Sequence, residues 1–163
     1  MENQTNFKMS KGYFSIVLLL MLILPIISIA VDLQCNAIIS LTQLTGKWFV
    51  FWAIGIRLFT AGLKQVIKPQ FTLQDIFHIS NPEGGVIVKE LGFANICFGA
   101  AGIISIFIPE WRPAAAFTGG LYLGIAGINH VIKKPSGPNE VIAMVSDLFI
   151  FLVMAIYFYC SLS

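Results

Sequence analysis

Seven side chains in this 163-residue chain could carry chemistry or hold a ligand in otherwise apolar surroundings: Arg57, Lys64, Glu90, Asn95, Asn129, His130 and Asp147. His130 belongs to the residue type that titrates near neutral pH, so it could act as acid or base with Glu90 or Asp147 to tune it. Arg57 is a fixed cation, and either Glu90 or Asp147 is its natural partner. No nucleophile and no second histidine lie near His130 in sequence, so a histidine capping helix-end carbonyls is the competing reading. No catalytic residue and no cofactor can be assigned. A metal held by His130, Glu90 and Asp147 has no support from spacing, and Cys35, Cys97 and Cys160 form no CxxC pair, so neither a zinc cluster nor a redox dithiol is indicated.

The elements that must position these groups are membrane helices. Hydrophobic residues make up 57% of the chain and charged residues 11%, and the mean hydropathy is +0.84, which excludes an ordinary soluble domain of this length. Five apolar runs, 13–31, 44–66, 86–108, 111–132 and 141–160, each approach the ~20 residues that a bilayer core of about 30 Å requires. Their continuity and length argue against a β-barrel. The expected fold is therefore an all-α integral membrane protein, one domain over 1–163, folded as a compact bundle of five transmembrane helices. A loop at 68–85 is the longest segment outside them.

The first run has a rival reading as a signal peptide. Lys8 and Lys11 precede it, Pro25 could break it, and Ser28-Ile29-Ala30 offers small residues for cleavage, which would leave four helices. Signal cores of about 7–15 residues are shorter than this run, so a retained helix is expected.

Basic residues give an orientation. With the N-terminus inside, Lys8, Lys11, Lys64, Lys68, Lys89, Lys133 and Lys134 fall on the cytoplasmic side, and Lys47 and Arg112 flank the outer ends. The C-terminus then faces outward, in what is expected to be a bacterial inner membrane. Cys35 and Cys160 would share the outer face, although three cysteines do not fix a bridge. No basic stripe with interleaved aromatics points to nucleic acid.

Depth brings the polar groups together. Helical rise puts Glu90 about one turn inside the third segment, Asn95 about two turns beyond its start, and Asp147 roughly 10 Å into the fifth. Arg57 lies near the middle of the second segment with Lys64 two turns below it, while Asn129 and His130 occupy the last turn of the fourth. All would sit in the cytoplasmic half, with nothing comparable in the outer half. Glu90 needs a partner at that depth and is expected to face Arg57, Asn95 to bridge helices, and Lys89 to snorkel to the interface. Such a set either pins the helices in register or lines a cytoplasm-facing cavity for a small ligand, lipid or quinone.

Small residues mark the seams. Ala116, Gly120, Gly124 and Gly127 in the fourth segment, and Gly99, Ala100, Ala101 and Gly102 in the third, permit close helix approach, within one chain ahead of a homo-oligomer. In the loop, Phe71, Ile76, Phe77 and Ile79 suit the membrane surface and His78 is interfacial. Asn139 is expected to cap the helix that Glu140 begins.

Gly55-Ile56-Arg57 with Gly62 and Lys64, then Glu90-Leu91-Gly92-Phe93-Ala94-Asn95, Asn129-His130, and Asn139-Glu140 through Asp147 resemble an uncharacterised family of small bacterial membrane proteins. The order of Arg and Lys on one helix, Glu-x-Gly on the next and His ending the third also resembles the broader DoxX-like group. The resemblance runs from about Trp48 onward and implies a compact bundle with a DoxX-like core. DoxX-like members include subunits of quinone-linked oxidoreductases and accessory membrane factors. The sequence thus favours an accessory or lipid- or quinone-binding bundle, with a quinone-linked enzyme subunit using Glu90 and His130 for proton handling as the alternative and a small transporter as the second. Its partners would be the bilayer and another copy or a membrane complex.

Overall fold

Each apolar run winds into a helix because a chain in hydrocarbon must satisfy its own backbone hydrogen bonds. A computed structural model of the chain describes residues 9–35, 39–77 and 79–162; Lys8 and His78 lie outside them. Among the described residues five helices are long and apolar enough to cross a membrane: α1 (Lys11–Cys35), α2 (Leu41–Ile67), α3 (Gly85–Ile104), α4 (Arg112–Lys133) and α5 (Pro138–Leu162). Among the described residues there is no strand.

Side chains and prolines set the helix ends. The Ser10 and Ser40 hydroxyls accept the backbone N–H of Tyr13 and Gln43, capping α1 and α2. α3 stops at Ile104 rather than at the 108 expected from hydropathy. Pro109 restricts the residue before it, and Ile108 adopts φ −121° and ψ 87°, outside the helical region. α4 ends where Lys134 takes φ 59°, a conformation that costs a non-glycine residue energy, immediately before Pro135.

Consecutive helices run antiparallel. Gly55 and Gly62 of α2 meet Gly102 and Gly92 of α3, while Gly120, Gly124 and Gly127 of α4 meet Met154, Phe151 and Leu148 of α5. α1 lies along α2, and its first turn touches the start of α5, where the Ser10 N–H donates to Asn139 Oδ1 at 2.9 Å. The bundle therefore has a Ser10 end, carrying the starts of α1, α3 and α5, and an opposite Cys35 end. Val50, Ala53 and Ile54 of α2 form the centre of the core with Ala116 and Leu123 of α4, Ile150 and Met154 of α5, and Met21 of α1. Ile67, Ile87, Phe107 and Ile132 point outward, as surfaces facing lipid do.

Two helices widen locally. Residues Leu19–Ile23 of α1 and Val50–Ile56 of α2 have π-helical hydrogen bonding, and these two segments pack on each other. In α1 the wider turn precedes Pro25, whose ring would collide with a carbonyl of a regular helix. In α2 it ends directly before Arg57, and the change of phase rotates every later residue of that helix.

Close approach at the glycines generates a test. A Cβ on Gly62 would stand 2.6 Å from the Gly92 carbonyl oxygen, a backbone atom that cannot step aside, whereas one on Gly12 would meet nothing within 4 Å. Gly62→Ala is expected to lower stability by about 1–3 kcal/mol, the usual cost of overpacking. Gly12→Ala should leave the thermal unfolding temperature in detergent unchanged.

Candidate functional site

A guanidinium placed in the hydrocarbon layer needs a counter-charge. Arg57 Nη2 donates to Asp147 Oδ1 at 2.7 Å, and the two side chains are only 11% and 8% exposed. The pair ties the second helix to the fifth, across 90 residues of sequence. Tyr13 of α1 and Tyr122 of α4 both lie within electrostatic reach of Arg57 and Asp147, so four helices contribute to one polar centre.

Asn95 belongs to a second contact. Its Nδ2 donates to Gln65 Oε1 at 2.7 Å, both residues being buried, while its own Oδ1 is buried without a hydrogen-bond partner among the described residues. Val88, Gly92, Asn95, Gly99 and Gly102 recur at alternating spacings of four and three residues and form the buried face of α3. Glu90 lies two positions from Val88, about 200° round the helix, and is exposed. The expected Glu90–Arg57 contact is therefore replaced by Asp147–Arg57, because the rotation of α3 turns Glu90 outward.

The same phase argument separates Asn129 from His130. Leu123, Gly124, Gly127 and His130 face inward on α4, and Asn129 is exposed. His130 Nδ1 lies 3.1 Å from Glu140 Oε1, and Glu140 Oε2 accepts the Ser136 backbone N–H at 2.8 Å. Asp147 is within electrostatic reach of His130. Asn139 does not cap α5, as the sequence suggested. Pro138 already begins that helix, and the Asn139 side chain is engaged by Ser10.

Lys64 stands apart from the buried groups. It is exposed, with its Nζ 3.2 Å from the centre of the Phe71 ring. Of the seven residues singled out by type and depth, the bundle thus buries Arg57, Asn95, His130 and Asp147 and leaves Lys64, Glu90 and Asn129 on its surface.

The opposite half is not empty of charge. Asp32, near the Cys35 end, accepts Lys47 Nζ at 2.6 Å and Trp48 Nε1 at 3.0 Å, and Trp52 Nε1 donates to Ser28 Oγ one turn away. These bonds fasten α1 to α2. The apolar run ends at residue 31, one residue short of Asp32, whereas the helix continues to Cys35, and a carboxylate near the end of one helix with a lysine near the start of the next is the legible signal for this bond. Residue type and depth do not single out Gln65, Tyr13 or Tyr122, and they give Glu140 only a place at the start of the last helix; Gln65 carries the clearest cue, three residues from Gly62 on the same helical face. All three cysteines are free, and no group of three metal-ligating side chains occurs among the described residues.

Chemically, these groups can hold each other. The described hydrogen bonds give Arg57 a carboxylate, Asn95 an amide and His130 a carboxylate, without a nucleophile set against a base. Residues 11–161 match the family described as "Family of unknown function (DUF6790)". No curated protein and no solved structure matches.

If the Arg57–Asp147 contact is a fully desolvated ion pair, Asp147→Asn leaves a buried cation uncompensated. Stability should fall by about 3–5 kcal/mol, while Arg57→Met combined with Asp147→Leu should come within about 1–2 kcal/mol of the parent. Unfolding of the purified variants in mixed micelles measures both.

Proposed function

We propose, from the premise that this chain belongs to the family of unknown function DUF6790, that it is a non-enzymatic accessory protein of the membrane whose buried polar side chains bind one another. The observation that carries this reading is the mutual pairing of Arg57 with Asp147 at 2.7 Å and of Asn95 with Gln65 at the same distance. Buried pairs of this kind add little net stability, but they penalise every wrong helix register. A bundle organised this way presents a fixed outer surface to lipid and to any neighbour in a membrane complex or a second copy.

The proposed placement has the N-terminus in the cytoplasm and the C-terminus outside, in a bacterial inner membrane. Its support is the excess of lysines at the Ser10 end, where Lys11, Lys68, Lys89, Lys133 and Lys134 gather, over Lys47 and Arg112 towards the other. A DoxX-like core made by α2 to α5 is part of the same proposal. It rests on Arg57 and Lys64 on one helix, Glu90 and Gly92 on the next and His130 ending the third.

One observation favours a second reading, a proton-handling subunit of a quinone-linked oxidoreductase. His130 contacts Glu140 at 3.1 Å and is within electrostatic reach of Asp147, so a residue type suited to proton handling has two acidic neighbours. Glu140 then takes the part that the sequence suggested for Glu90.

Native mass spectrometry of the purified chain, together with quinone-linked activity of membranes, separates these readings. The accessory reading expects no retained quinone and full activity with His130→Ala and Glu140→Gln. A stoichiometric quinone lost in those variants, along with the activity, would establish the second reading instead.

A further inference from the structure

Between the end of α2 and the start of α3 the chain makes one turn of helix, Pro69–Phe71, that continues as Thr72–Ile76. Leu73 and Thr72 bury this segment against the bundle, and Gln70 and Gln74 are left on its outer side. A groove of about 560 Å³ opens there, lined by Lys68, Lys89, Gln70, Gln74 and Asp75 together with the apolar Ile67, Pro69 and Phe71.

We infer that this groove binds the phosphate headgroup of an anionic phospholipid, an inference that rests on the reading of the chain as a membrane bundle. Lys68, just past the end of α2, and Lys89 of α3 both line it, and neither has an ion-pair partner among the described residues. The groove's carboxylate, Asp75, is within electrostatic reach of Lys64, which stacks on the outer wall formed by Phe71. Lys64, Lys68 and Lys89 set against the single carboxylate of Asp75 leave two net positive charges at the groove for a phosphate. On the same wall Gln74 Nε2 donates to Gln70 Oε1 at 3.4 Å, which holds the Gln70 amide in place, and Gln70 Nε2 is a donor of the kind phosphate oxygens accept.

The position selects a lipid over a free anion. Lys68 follows the last residue of α2, and Lys89 lies within the second turn of α3, the depth at which headgroups meet the bilayer core. Ile67, which lines the groove and precedes Lys68 on the membrane side, is 71% exposed and offers an acyl chain apolar surface next to the cations. Basic pockets between membrane helices recognise lipid headgroups by this combination of cations and adjoining apolar surface.

The test uses the delipidated full chain in detergent, titrated with phosphatidylglycerol or with phosphatidylcholine of the same acyl chains and read by native mass spectrometry. Phosphatidylglycerol should bind the tighter at one site. Lys68→Gln with Lys89→Gln should weaken that binding about 10- to 30-fold, while Lys133→Gln with Lys134→Gln, at the same end but outside the groove, should change it by less than roughly twofold. Equal affinity for the two lipids, or equal loss in both lysine pairs, would overturn the site in favour of diffuse surface charge. Competition by inorganic phosphate as effective as the lipid itself would overturn the lipid assignment in favour of a soluble anion. The groove lysines do not touch Arg57 or Asp147, so unfolding of the lysine variants should match the parent. Failure at the groove therefore leaves the paired core intact, and failure of the paired core appears in unfolding alone.

Discussion

A guanidinium and a carboxylate held 2.7 Å apart inside a membrane bundle constrain everything around them. Neither charge can stay in hydrocarbon alone, so α2 and α5 must bring Arg57 and Asp147 to the same depth and turn them towards each other. Once that is done, little rotation or sliding is left to either helix. The tyrosines of α1 and α4 then have one geometry in which they can reach the pair.

Meeting that constraint depends on close backbone approach. Gly55 and Gly62 let α3 press onto α2, and the glycines of α4 receive Met154, Phe151 and Leu148 of α5, so two antiparallel hairpins enclose the pair from either side. The π-helical stretch before Arg57 adjusts the phase of α2 between its two halves. Its first half can thus bury Leu44 and Phe49 while its second half directs Arg57, Gly62 and Gln65 inward. The Asp32–Lys47 bond at the other end gives α1 a fixed station along α2. The His130–Glu140 contact does the same for the α4–α5 turn at the Ser10 end. Polar contacts at both ends and the middle therefore specify one register, and apolar packing supplies the bulk between them.

Hydropathy made the five helices legible, because each apolar run has the length a membrane demands. Depth followed from helical rise, and it correctly put Arg57 and Asp147 within reach of each other. Rotation did not follow. α3 is apolar almost all round, so its sequence carries no contrast to say which side is buried, and Glu90 stands out as the charge most in need of a partner. The glycine spacing at 92, 99 and 102 held the missing information, since it marks the face pressed against α2 and leaves Glu90 off it. Pairing by depth also hid partners of ordinary type, such as Gln65, which becomes visible only when the neighbouring amide of Asn95 is set beside it.

The central claim is that Arg57 and Asp147 are partners whose mutual charge fixes the bundle. Reversing each charge singly and then both together, as Arg57→Asp, Asp147→Arg and the double exchange, and measuring folded protein recovered from membranes tests it most directly. The account predicts that either single reversal sharply reduces recovery and that the double exchange restores much of it. Single reversals that accumulate normally, or a double exchange no better than the worse single, would contradict it.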